Sequence, residues 1–274
     1  MSFAGLRVLS LESRRAKEIE ALIRREGGEP FVAPSVQERA VDDPSDALRF
    51  VERLEAGEFD LLICMTGVGL AFWRDQVAAH ASVERLSEAL RRVTILSRGP
   101  KPLPVLRELG LRADILVPEP NTWKEIVAAV ATRPERRIAV QEYGRPNPEM
   151  VTALELLGAT VASMVVYRWD LPENVEPLRI AARRLAEREF DVVLFTSSIQ
   201  LDHLIIVAND LGLEAQVREA LLSRAIASVG PVMTQALESA GIKVDVIPVH
   251  PKMAALVKAA SEAAVGILAR KQVS

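Results

Sequence analysis

The chain has 274 residues, of which 49% are hydrophobic, with a net charge of −3 from 34 Lys and Arg against 37 Asp and Glu. That composition excludes a disordered or fibrous chain, and its charge balance gives no electrostatic ground for a nucleic acid or an anionic membrane as partner. The length predicts two domains, and the single cysteine, Cys64, excludes a disulfide framework or a cysteine-rich metal site.

Taken in order, Leu6–Ser10 reads as a short strand. Ser13 is expected to cap a helix from Arg14 to Glu26, with Ile19, Leu22 and Ile23 on one face. A strand over Pro30–Pro34 and a polar, proline-marked connection over Ser35–Ser45 follow. Asp46–Ala56 is a helix and Leu61–Met65 a strand, then Leu70–Ala89 a helix broken near His80. Strands are predicted at Val93–Leu96, Ile115–Val117, Ile138–Val140 and Val161–Val166. Helices are predicted at Leu103–Leu109, Trp123–Val130 and Glu149–Leu157. After a second proline-rich, acidic crossing, Trp169–Pro177, come helix Leu178–Arg188, strand Val192–Phe195, helix Asp202–Leu211 and strand Ala225–Val229. Helix Met233–Ala240, strand Val244–Ile247 and helix Met253–Leu268 close the chain. Strands alternating with helices of this length imply parallel sheets built by right-handed crossovers. Uninterrupted apolar strands such as Val192–Phe195 imply that helices cover both faces. No apolar run approaches the ~20 residues that span a bilayer, and no charged-then-apolar leader precedes the first strand. The expectation is a cytoplasmic protein.

The chain also repeats itself. Glu58-Phe59-Asp60-Leu61-Leu62 returns as Glu189-Phe190-Asp191-Val192-Val193, and Arg98-Gly99-Pro100 is answered by Val229-Gly230-Pro231 at the same spacing. A repeat this long is a duplicated domain rather than a solenoid. Each copy centres on a buried strand running into a small polar turn, the place where open α/β sheets bind ligands. The candidate turns of one copy are Thr66-Gly67-Val68-Gly69, Arg98-Gly99-Pro100-Lys101 and Gln141-Glu142-Tyr143-Gly144. Those of the other are Ser197-Ser198-Ile199-Gln200 and Gly230 to Thr234, with Ser10 to Arg15 completing the set through Arg14 and Arg15. Amides at such turns bind carboxylate or phosphate. His80, His203 and His250 lack metal-ligand spacing, and no Walker loop, nucleophile elbow or complete dinucleotide fingerprint is present.

With those residues in view, the chain resembles the uroporphyrinogen-III synthase family over essentially its full length. The resemblance is carried by the two strand-turn units Leu61–Gly69 and Val192–Gln200, and by the Arg98, Gln141 and Gly230 turns with Val166-Tyr167-Arg168. It implies an α/β fold of two doubly wound, flavodoxin-like parallel-sheet domains joined by a two-stranded crossing linker. One domain would be discontinuous, 1–36 plus 173–274, the other 42–166, with linkers at 37–41 and 167–172. It implies closure of linear hydroxymethylbilane to uroporphyrinogen III, with inversion of the D ring and loss of water, without metal or organic cofactor. Tyr167 would line the site as the catalytic hydroxyl and the turns named above would bind substrate. A monomer, with no nucleic-acid or membrane partner, is the corresponding assembly. A non-catalytic, tetrapyrrole-binding regulatory relative is the alternative, and a two-domain periplasmic-type binding protein a more distant one. The sequence departs from the family pattern in having Ser10-Leu11-Glu12 where Thr-Arg-Pro is common. Met233 also stands at the usual threonine, with Thr234 one place on.

Overall fold

The computed structural model describes residues 2–144 and 146–272. Strand β1 (Arg7–Ser10) leads into helix α1 (Ala16–Arg25), then β2 (Glu29–Val32) and β3 (Gln37–Ala40). The middle of the chain runs α2 (Ser45–Glu55), β4 (Leu61–Cys64), α3 (Gly67–His80), α4 (Val83–Leu90), β5 (Thr94–Ser97) and α5 (Leu103–Glu108). It continues through β6 (Ile115–Leu116), α6 (Trp123–Ala131), β7 (Arg137–Gln141), α7 (Pro148–Leu156), β8 (Thr160–Met164) and β9 (Tyr167–Asp170). The remainder holds α8 (Glu176–Ala186), β10 (Val192–Phe195), α9 (Ser198–Asp210), α10 (Glu214–Ser223), β11 (Ala225–Ser228), α11 (Pro231–Ser239) and α12 (Met253–Lys271). Among the described residues no helix is long and apolar enough to cross a membrane.

Two compact units result. Unit 1 takes the residues up to Gln37 together with those from Asp170 on, and unit 2 takes Glu38–Trp169. Unit 1 has a four-stranded parallel sheet in the order β11-β10-β1-β2, and unit 2 a five-stranded parallel sheet in the order β6-β5-β4-β7-β8. Strands β3 and β9 pair in a separate two-stranded sheet. The α/β class expected from alternating strands and helices is therefore the one observed.

The sequence repeat is a repeat of topology. Leu61 of β4 lies opposite Thr94 and Ile138, as Val192 of β10 lies opposite Ala225 and Val8. Even the anchoring hydrogen bonds recur: Arg137 donates from N and Nε to Asp60, at 3.2 and 3.1 Å, as Arg7 does to Asp191, at 2.8 and 3.3 Å. Ile95 N donates to Asp114 and Ile226 N to Asp245, both at 2.8 Å. In each unit the central strand sends alternate side chains into opposite layers, as period-two geometry requires. Leu62 and Cys64 join one apolar cluster of unit 2, and Leu61, Ile63 and Met65 the other. Val193 with Phe195, and Val192 with Leu194, divide the same way in unit 1. Burial pushes the Cys64 thiol up to about 12, so it behaves as a small inert hydrophobe.

Four local expectations are corrected. Ser13 does not cap α1: its hydroxyl accepts from Ser35 N at 3.0 Å and Val36 N at 2.9 Å, pinning the chain after β2 instead. Val244–Ile247 forms no strand, only one parallel bridge from Val246 to Ala227, so unit 1 lacks a full counterpart of β6. The polar stretch Ser35–Ser45 contains β3, whose Gln37-Glu38-Arg39-Ala40 has no apolar alternation to betray it. Helix α10 has no counterpart among the expected elements, although Val217, Ala220 and Leu221 form its buried stripe. The helix break near His80 is observed, with Ser82 accepting from Arg85 N at 3.2 Å to start α4.

Candidate functional site

Unit 2 gathers most of the expected residues around the end of β4. Thr66 caps α3, its hydroxyl accepting from Gly69 N at 2.9 Å. The two glycines of this turn are there for close approach. A Cβ on Gly67 would lie 2.3 Å from the Lys101 carbonyl oxygen, and one on Gly69 would lie 1.9 Å from Gln141 Nε2. Val68 between them is half-buried and packs against the unit 2 core. Gln141 fills the space beside Gly69, its Oε1 accepting from Thr66 N at 3.4 Å and its Nε2 donating to the Glu142 carbonyl. Gly99 closes the next turn through its carbonyl, which accepts from Ser97 Oγ at 2.7 Å. With its amide oriented to satisfy both neighbours, Asn121 donates to Arg98 O at 2.8 Å and Val117 O at 3.0 Å. The Lys101 side chain is exposed.

Arg98 is the charged group of this cluster. Its guanidinium lies over the Tyr143 ring, 5.4 Å from the centroid, and no carboxylate pairs with it among the described residues. Burial pulls its pKa below the ordinary arginine value, opposed by Tyr143 and Tyr167, yet an arginine stays protonated at neutral pH. Tyr143 packs against Trp169 at 5.8 Å, and Gly144 backs onto the same indole. Tyr167 completes the aromatic group, stacked on Phe72 at 5.7 Å and edge-on to Trp169 at 6.2 Å. Tyr167, expected to line a site, is only 1% exposed and belongs to the core of unit 2. Its hydroxyl, 3.4 Å from Thr66 Oγ1, reaches the turn through that threonine.

Glu142, quoted in the sequence motif without a role, is fully buried. Its Oε1 accepts from Asn147 N at 3.2 Å and Ser163 Oγ at 3.1 Å, while Oε2 has no partner among the described residues. Burial raises its pKa, the two hydrogen bonds opposing. It ties Asn147, which caps α7, to Ser163 of β8.

Unit 1 arranges the equivalent turn differently. Gln200 Oε1 accepts from Thr196 N at 2.7 Å and Ser197 N at 3.2 Å, and its Nε2 donates to Leu11 O at 3.2 Å. Gln200 is thus a buried plug that occupies the turn's own amides. Ser198 begins α9, half-buried. Thr234 is buried too, its hydroxyl bonded to Gly230 O at 3.1 Å and Ser228 Oγ at 2.9 Å, so it secures the Gly230 turn. Arg15 is exposed and paired with Glu18, and Arg14 is exposed beside it. Sequence reasoning missed Phe72, Trp169, Asn121, Thr196 and Glu12 as partners of the turns, because only tertiary folding brings them there.

Known proteins agree with this architecture. A family model described as "Uroporphyrinogen-III synthase HemD" matches residues 17–258. A Bacillus subtilis protein described as "Uncharacterized protein YjjA" is 28% identical over 261 residues, covering 92% of this chain and 94% of its own length. A mutant uroporphyrinogen III synthase from the extremely thermophilic bacterium Thermus thermophilus superposes with a TM-score of 0.68 at 25% identity, covering 93% of this chain and 96% of that one. The uroporphyrinogen-III synthetase of Helicobacter pylori, at 12% identity and a TM-score of 0.54, covers 92% of this chain and 97% of its own and shares the fold.

Proposed function

We propose that this chain, which belongs to the uroporphyrinogen-III synthase family, closes linear hydroxymethylbilane into uroporphyrinogen III, inverting the D ring and losing water. The observation that carries the reading is Arg98, a half-buried guanidinium on an aromatic face with no carboxylate partner among the described residues. A desolvated arginine without a partner is costly unless a ligand supplies the anion, and hydroxymethylbilane bears eight carboxylates. Planar, forked donors suit a carboxylate bidentately. The amides of the Thr66–Gly69 turn, at the start of α3, would add donors to the same face.

Chemistry at the leaving group needs a proton. As the bond between the hydroxymethyl carbon and its oxygen breaks, the oxygen departs with the electron pair and takes a proton to leave as water. Thr66 Oγ1 already accepts from Gly69 N and can accept from the Tyr167 hydroxyl, which frees its own proton to donate outward. A phenol, ordinarily near pKa 10, stays protonated at neutral pH and polarises that chain without titrating. Tyr167 in this scheme is a positioning residue behind Thr66. The remaining work is orientation, since the linear substrate also closes unaided to the uninverted isomer, and orientation alone can supply ~7–11 kcal/mol.

Incubation of purified protein with pre-formed hydroxymethylbilane, followed by separation of the oxidised isomers, tests the proposal. Type III product in excess, formed faster than spontaneous closure, is expected. Type I product at the spontaneous rate would overturn it.

A further inference from the structure

The Arg98-Gly99 turn of unit 2 leaves one backbone donor without an acceptor. Gly99 is buried, yet its N–H has no partner among the described residues. The groups on either side are accounted for: Arg98 N donates to Cys64 O at 3.1 Å, and Gly99 O accepts from Ser97 Oγ at 2.7 Å. A buried N–H of this kind is rare unless an acceptor comes from outside the chain. The matching turn of unit 1 is satisfied internally. There Gly230 N donates to Ser228 Oγ at 3.4 Å, and Pro251 packs beside the glycine.

Asn121 is what sets the unit 2 turn apart. Its side-chain amide donates to Arg98 O at 2.8 Å and to Val117 O at 3.0 Å, tying the turn after β5 to the end of β6. Glycine at position 99 admits this contact, since a Cβ there would lie 2.8 Å from the Asn121 amide. The Arg98–Gly99 peptide is trans, so its C=O and N–H point in opposite directions. Drawing the carbonyl toward Asn121 therefore turns the Gly99 N–H away from it.

We propose that Asn121 is the positioning residue of this turn: by holding the Arg98 carbonyl it presents the Gly99 N–H to an anionic group of the ligand, beside the arginine that carries the charge. This rests on the substrate reading above, in which that group is a carboxylate. A backbone donor held in this way loses no side-chain freedom on binding, and its hydrogen bond to a charged acceptor is of the stronger kind. Asn121 touches no substrate in this role and acts through the peptide it bonds.

Two variants remove the side-chain donor without straining the backbone. Asn121 has φ +60°, a conformation that glycine and aspartate tolerate. Asn121→Gly deletes the side chain, and Asn121→Asp keeps its shape while turning oxygens toward two carbonyls. Backbone amide resonances of the whole chain are followed during titration with inorganic phosphate, and the spread of the unit 1 amides reports that each variant is folded. Wild-type protein should show a saturating shift at Gly99. In both variants that shift should be lost or several times smaller, while shifts at Gly67 and Val68 persist. No Gly99 shift in wild type, or an equal one in Asn121→Gly, would overturn the proposal, whatever the enzyme assay gives. Loss of the Gly67 and Val68 shifts as well would mean that Asn121 only supports the fold, and would overturn it too. In the second arm, Asn121→Gly should raise KM for hydroxymethylbilane about threefold to tenfold with kcat nearly unchanged, because a donor to a carboxylate away from the reacting carbon binds ground and transition states alike. An active wild type with an unaltered KM in Asn121→Gly would overturn the proposal. An inactive wild type would remove the substrate reading and leave the phosphate arm to decide how Asn121 acts.

Discussion

The turn after β4 in unit 2 and the turn after β10 in unit 1 descend from one pattern and solve the same packing problem from opposite sides. Each needs a side-chain amide to occupy the space under the helix start and satisfy a backbone N–H there. Unit 2 sends Gln141 in from the end of β7 and leaves Gly69 on the helix to make room. Unit 1 sends Gln200 down from the helix, and Leu11 occupies the strand position. The internal hydrogen bonds recur in kind while the exposed chemistry diverges: Arg98 over Tyr143 in one, Val229 and a half-exposed Glu12 in the other. A duplicated fold can thus keep its scaffold while each copy's turn carries a different exposed chemistry, because scaffold and surface are set by different residues.

The largest effect should come from breaking the exchange of amides. Gly69→Gln alone forces two side chains into one space. Overpacking of this kind costs ~1–3 kcal/mol, and more where backbone must move. Adding Gln141→Leu recreates the unit 1 arrangement in unit 2. Urea denaturation should show the double variant more stable than Gly69→Gln, with a coupling of ~1–3 kcal/mol. Additive losses would mean the two turns are not interchangeable solutions.

Next in size is Arg98→Val, which gives unit 2 the residue of unit 1. The guanidinium has no carboxylate partner to lose among the described residues, so the unfolding midpoint should change little. Hydrogen bonds to a charged group are worth ~1.5–3 kcal/mol, so kcat/KM for hydroxymethylbilane should fall by roughly tenfold to a hundredfold. Unchanged steady-state kinetics would remove Arg98 from the site. Tyr167→Phe tests the hydroxyl chain behind Thr66. The ring keeps its stack on Phe72, and turnover should drop about tenfold with type III still the main product, below the ~10²–10⁴ of a direct general acid. A wild-type rate would assign Tyr167 to packing alone.

What the sequence revealed follows from the same division. The apolar strands Leu61–Met65 and Val192–Phe195, buried on both faces, announce themselves by composition, and the 131-residue spacing of their flanking Asp60 and Asp191 exposes the duplication. Thr66 could be read as a turn residue, and Arg98 as a strand-end base. The burial of Tyr167 could not, since it depends on Phe72 and Trp169 arriving from other elements. Nor could the inward use of Thr234 and Gln200, whose side chains look available in sequence and are consumed by hydrogen bonds in the fold. Ser13 misled for the same reason: a small hydroxyl before a helix has several amides in reach, and here it serves those of Ser35 and Val36.

The smallest expected effect concerns the glutamate after β7. Glu142 is fully buried with Oε2 unpartnered among the described residues, and burial raises its pKa over the opposing bonds from Asn147 and Ser163. A carboxyl whose pKa is raised on folding binds its proton more tightly in the native state than in the unfolded chain. Its contribution to stability is therefore fully present below the unfolded carboxylate range and is lost as pH rises through the folded value. Glu142→Gln keeps an oxygen for Asn147 N and Ser163 Oγ and removes the ionisation. The variant should gain on the order of 1 kcal/mol over wild type at pH 8, the scale of one unsatisfied buried polar group. That advantage should shrink toward pH 4, where protonation of the unfolded chain's carboxyl approaches that of the folded one. Paired denaturation curves at the two pH values measure it. A constant difference across pH would mean that Glu142 titrates alike in the folded and unfolded chain, and that it holds Asn147 and Ser163 at no cost in charge.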